Sequence, residues 1–136
     1  MAEVEGLKEF IARIERLRRN ASNLKAPLRD SADHMLGVID QNFASGGRPP
    51  WEQLATSTRA HKSGRILEAS GDMRGANKPL FSKDGWEIVN TDWKAIFHLR
   101  GTKRNGEEHI PARNWMNYQP EDVPIIGEIF FVHITQ

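Results

Sequence analysis

The chain has 136 residues, of which 38% are hydrophobic and 27% charged, enough for a modest core in one domain over residues 1–136 and too few for two. Its net charge of +1 leaves no overall field to steer it toward DNA or an anionic membrane. The absence of cysteine excludes disulfides, thiolate catalysis and Cys-ligated zinc, and suits a reducing compartment.

The opening residues, MAEVEGLKEF, carry acids where a secretory signal would need an apolar run. Nowhere does an apolar run approach the roughly 20 residues of a membrane helix, so no membrane partner is expected. Over 3–19, Val4, Leu7, Phe10, Ile11, Ile14 and Leu17 recur at helical spacing. Lys8, Arg13, Arg16, Arg18 and Arg19 fall largely on the other faces. NASN at 20–23 breaks the pattern. A second helix is predicted over about 26–44, with Pro27 in its first turn. Leu28, Ala32, Met35, Leu36, Ile39 and Phe43 form its stripe, and Gly46 and Gly47 stop it. Together the two read as a helical hairpin over about 3–44.

Residues 45–136 change character. GGRPPWEQL is a loop anchored by Trp51 and Leu54, with Trp51 read as a plug at the base of the hairpin. A short helical piece is predicted over 62–70, with Ile66 and Leu67 in the core. Gly71 opens a turn-rich stretch and is expected at positive φ. Residues 85–100 read as two strands joined near Asn90–Asp92, so a small antiparallel sheet is expected from about 76–100. The polar run 101–108 reads as a loop that stays mobile until a partner orders it. Residues 120–136 carry both a helical stripe and high strand propensity. Pro120 followed by Glu121 and Asp122 favours the helix. The expected fold is α+β: an N-terminal helical hairpin and a C-terminal helix packed on a small antiparallel sheet.

Chemistry has little to work with. Asp30 and His34 stand four apart and could share a metal, but a solvated helix face is the simpler reading. Glu107, Glu108 and His109 could form an acid–base cluster, and a solvated loop again explains them. The glycines at 101 and 106 lack the Gly-Lys-[Ser/Thr] ending of a phosphate loop, and there is no Gly-x-Ser-x-Gly elbow. No enzyme activity, cofactor or metal is expected. Arg100, Lys103 and Arg104 form a basic cluster suited to phosphate contacts, which supports an alternative reading as a small DNA-binding or regulatory module.

The segment HIPARNWM, 109–116, packs an abrupt change into few residues. Pro111 forces extended backbone on Ile110, Arg113 offers a planar fork of donors, and Trp115 and Met116 offer apolar area. Tryptophan and arginine are enriched among interface anchors, so Ile110, Pro111, Arg113, Trp115 and Met116 are a candidate subunit or partner interface. Equally, Ile110 and Trp115 could plug this domain's own core while Arg113 caps a helix.

The order of these pieces resembles the virion morphogenesis, or tail completion, family of Mu-like tailed phages. Gly47, Arg48, Trp51 and Leu54 match that family's loop motif; Ile66, Leu67, Ser70, Gly71, Met73 and Arg74 match its second motif. Ala95, His98 and Gly101 match its third, and Ile110, Pro111, Ala112, Arg113 and Trp115 its fourth. The chain departs from the family pattern at Lys94, at the inserted Asn114, and at Pro124 and Gly127 in the last element. The resemblance implies a non-enzymatic structural protein of the virion, made in the bacterial host cytoplasm. It would complete the tail at its head-proximal end for head–tail joining. The implied partners are further copies in a ring, such as a hexamer, other tail and head-completion proteins, and the DNA passing through the channel.

Overall fold

A computed structural model describes residues 4–61, 66–68 and 71–136. The fold is α+β, with two N-terminal helices, a C-terminal helix and two small antiparallel sheets of two strands each.

Helix α1 spans Leu7–Ser22 and α2 spans Lys25–Ser45, separated by a break at Asn23 and Leu24. Gly46 ends α2 at φ 77°, a left-handed turn that costs glycine nothing. Helix α2 is the centre of the molecule. Leu28, Ala32, Met35, Val38, Ile39 and Phe43 are all buried along one face, whereas Leu36, expected in that stripe, is only half-buried. Helix α6, Asp122–Thr135, resolves the ambiguous C-terminus as helical. Pro124 lies in its first turn, where a missing N–H costs little. Helix α6 packs on α2 and on α1.

Between these helices lie short elements: α3 (Thr56–His61), α4 (Asp72–Gly75), β1 (Asn77–Phe81), β2 (Trp86–Asn90), α5 (Ala95–Arg100), β3 (Thr102–Arg104) and β4 (Glu107–Ile110). The helical piece expected over 62–70 falls largely outside the described residues. Within it, Ile66 and Leu67 form a turn, and Leu67 is buried. Gly71 has φ 78°, as its turn requires.

Two expectations are corrected. The strand pair predicted over 85–100 is one strand and one helix. β2 pairs backward with β1, from Asn77 opposite Asn90 to Phe81 opposite Trp86. Asp92 then starts α5: its carboxylate accepts from the Lys94 N–H at 2.9 Å and its carbonyl from the Ala95 N–H. Short polar side chains favour such starts because they satisfy otherwise orphaned amides. The polar run 101–108 is the second hairpin, not a loop. Asn105 at φ 54° and Gly106 at φ 79° make the tight turn that Asn-Gly favours between twisted strands.

The core gathers Ile39, Phe43, Trp51, Leu67, Met73, Ala95 and Trp115. Phe43 sits edge-on to Trp51 at 5.8 Å and lies 5.5 Å from Trp115. The β1–β2 hairpin is tied to α2 by the Trp86 indole, which donates to the Ser31 hydroxyl at 2.8 Å.

Candidate functional site

The four segments that carry the family resemblance meet in space. Trp51, Leu67, Met73, Ala95 and Trp115 come from all four, and they form most of one apolar cluster around Phe43, with Ile66 and Met116 packed against it. Leu54 is half-buried beside the same loop. The motifs are therefore a packing signature.

HIPARNWM anchors that cluster through Trp115 and Arg113, which corrects the candidacy of those two side chains as interface contacts. Trp115 has no exposed surface and Arg113 is 4% exposed. Neither can be offered to a partner. The Arg113 guanidinium donates to the carbonyls of Glu52 (2.9 Å) and Gln53 (3.3 Å), and its backbone N–H donates to the His98 carbonyl at 2.8 Å. Burial pulls its pKa below the usual arginine value, with Glu52 and Glu108 pulling the other way. Arg113 is thus a strut: its side chain holds the loop after Trp51 and its backbone holds α5. Ile110, Pro111 and Met116 are half-buried.

A polar seam runs beneath. Asn42, fully buried on α2, donates to the Trp115 carbonyl at 2.7 Å and to Asn117, and accepts from the Arg48 Nε at 2.8 Å. Asn117 and Gln119 in turn donate to the Arg48 carbonyl. On the far side of α2, Arg74 grips Asp40 through two hydrogen bonds of 2.7 and 2.9 Å and also reaches Glu68. The guanidinium beside Asp40 holds its carboxyl below the usual range.

The candidate acid–base and metal groups do not assemble. His34 pairs with Asp122 at the start of α6 (3.2 Å) rather than with Asp30. Glu107, Glu108 and His109 lie exposed along β4, where successive side chains point to opposite faces. Among the described residues no group of three His, Asp or Glu side chains could hold a metal ion. Arg100, Lys103 and Arg104 are exposed, but Lys103 stands opposite Glu108 and Arg104 opposite Glu107 in the ladder, so the hairpin carries nearly balanced charge.

What the sequence motifs miss is the surface of α1 and α6. Residues 7–16 of α1 are all exposed, including Leu7, Phe10, Ile11 and Ile14, and within α1 only Leu17 and Asn20 are half-buried. Helix α6 is apolar on nearly every side and leaves Val123, Ile125, Phe131 and Val132 exposed. A helix apolar all round belongs inside something, which is the sequence signal for this surface. No helix among the described residues is long and apolar enough to cross a membrane.

Comparison of the chain with family models, with curated proteins and with solved structures finds no match.

Proposed function

We propose that this protein is a structural component of a phage virion. It completes the tail at its head-proximal end as one subunit of a ring, and has no catalytic role. The carrying observation is the apolar surface left open on α1 and α6 by a chain whose own core is closed. Soluble monomers rarely expose contiguous apolar patches of more than a few hundred Å², and larger ones mark assembly sites. The ordered motifs at 47–54, 66–74, 95–101 and 110–115 support the choice of the tail completion family over other assembling proteins. The alternative, DNA binding through Lys103 and Arg104, is weakened by the glutamates facing them.

The test is genetic and visual. Disrupting the gene in its phage or prophage should yield heads and tails that stay unjoined, restored by supplying the protein in trans. Joined, infectious particles at normal yield would sink the reading. A salt-dependent shift of duplex DNA by the purified protein, lost on Lys103→Ala with Arg104→Ala, would favour the DNA-binding reading instead.

A further inference from the structure

The exposed faces of α1 and α6 differ in charge as well as position. Helix α1 carries Lys8, Arg13, Arg16, Arg18 and Arg19 against Glu9 and Glu15. Helix α6 has no lysine or arginine, and since Asp122 is buried against His34, Glu128 is the one acid on its exposed face. At 100° per residue, Arg18 falls within the Leu7–Phe10–Ile11–Ile14 stripe of α1. Glu128 likewise falls among Ile125, Phe131 and Val132 on the outward side of α6. Each apolar face thus contains one charge, and the two are opposite in sign. Arg18 has only a loose 3.8 Å contact with Glu15 and is 79% exposed, so it is available.

The geometry points to a junction between copies of this chain, in which the α1 stripe of one subunit seats on the outward α6 face of the next and Arg18 meets Glu128. This rests on the assembly reading above and names its contact. Five large apolar side chains from Val4 to Ile14, and Ile125, Phe131 and Val132 on the outward face of α6, are about half exposed. At on the order of 100 Å² each, one such junction buries roughly 800 Å² of apolar surface before its polar rim is counted, approaching the ~1,000 Å² expected of a specific interface. Two alternatives fit less well. Pairing α6 with α6 about a two-fold axis at the centre of its patch sets Glu128 against its own copy. A flat membrane would take α1, whose basic polar face suits anionic lipid, but would leave the apolar face of α6 around Glu128 uncovered. A junction between two different patches is head-to-tail, the kind that closes into rings.

The test uses the full chain in size-exclusion chromatography with light scattering. Wild type should be larger than a dimer. Phe10→Glu and Phe131→Glu should each be monomeric with an unchanged circular dichroism spectrum, since both side chains are exposed in the subunit. Mixed one to one, the two variants should form a dimer and nothing larger, because one intact α1 face remains to meet one intact α6 face. Glu128→Arg should weaken assembly at least tenfold, and Arg18→Glu in the same chain should restore it. Several results would overturn the junction: a monomeric wild type, loss of assembly by Phe10→Glu with Phe131→Glu still assembling, a mixture that stays monomeric, or wild type bound to phosphatidylserine vesicles through α1. An oligomer that survives both variants would overturn this contact while leaving the virion role standing, which the gene disruption decides separately.

Discussion

The Asn42 side-chain amide donates to the backbone carbonyl of Trp115 at 2.7 Å, joining the middle of the chain to its last irregular segment through the interior. Asn42 is fully buried and also serves Asn117 and Arg48. Removing it strands several polar groups at once, and each buried group left without a partner costs about 1–3 kcal/mol. Asn42→Ala should therefore lower unfolding free energy by about 3 kcal/mol or more in urea titrations. Asn42→Asp should cost a comparable amount, because it exchanges a donor for a buried acceptor aimed at a carbonyl. A loss below about 1 kcal/mol for either variant would show that the seam is reached by water.

Trp115 supplies the second prediction. Its ring is enclosed beside Phe43, and truncating an aromatic in a core costs about 3–5 kcal/mol, a large share of a small domain's stability. Trp115→Ala should be largely unfolded at 37 °C. The indole N–H finds no acceptor among the described residues, so Trp115→Phe gives up volume without breaking a hydrogen bond and should melt well above Trp115→Ala. Equal melting temperatures would contradict this.

These two residues also show what was legible in the sequence. The apolar stripe of α2, the plug at Trp51 and the positive φ at Gly71 could be read directly, because helical period and turn chemistry are local. Trp115 could not be assigned. A tryptophan after a proline and an arginine looks the same whether it faces a partner or its own core, and only the partners of Asn42 and Phe43 decide. The second hairpin was legible but was outweighed by its charge: Asn105-Gly106 is a strong turn signal, and Lys103 opposite Glu108 is the kind of pair that stabilises exposed strands. Helix α5 was misread because Ile96, Phe97 and Leu99 suit a strand, while the start set by Asp92 depends on side-chain geometry. The apolar surface of α1 was legible as a stripe. That none of the described residues covers it was not, since periodicity is silent about which face finds a neighbour.

The hairpin can be tested at its turn. Gly106 has φ 79°, and a side chain there costs about 1 kcal/mol, or roughly fivefold in the closed-to-open ratio. Trypsin should cleave native wild type after Lys103 and Arg104 more slowly than it cleaves the same segment as a free peptide. Gly106→Ala should speed cleavage of the native protein several-fold. Identical rates for protein and peptide would mean that the segment is open in solution.

Gly101 should be still less tolerant. It has φ 73°, and an added Cβ would lie 2.7 Å from the Ile110 carbonyl oxygen and 2.9 Å from the Ala112 nitrogen. Both are backbone atoms, so neither can swing aside. Gly101→Ala should push β3 away from the segment leading to Arg113 and Trp115. The expected cost is at least about 2 kcal/mol, combining the φ penalty with the clash. Gly75→Ala, where an added Cβ meets nothing, is the control and should be close to neutral. Equal melting temperatures for the two variants would show that the hairpin is not docked.

The last prediction concerns acid. Arg74 depresses the Asp40 pKa below its ordinary 3.8, chiefly through their hydrogen bonds. A carboxylate with a lowered folded pKa adds stability above its unfolded pKa and loses it as pH falls through the folded one. The Asp40 contribution is thus present at neutral pH, begins to fade below about pH 4 and is gone once the folded carboxyl protonates. Arg74 is shifted upward, so its matching contribution is lost only in strong alkali, and it leaves the neutral range flat. The Asp40 side chain is 61% exposed, so solvent screening holds the effect under about 1 kcal/mol. Urea titrations of wild type and Asp40→Asn should differ by that amount at pH 7 and draw together as pH falls below about 4. A gap that stays constant down to the acid unfolding of wild type would mean that the Arg74 grip acts through shape rather than charge.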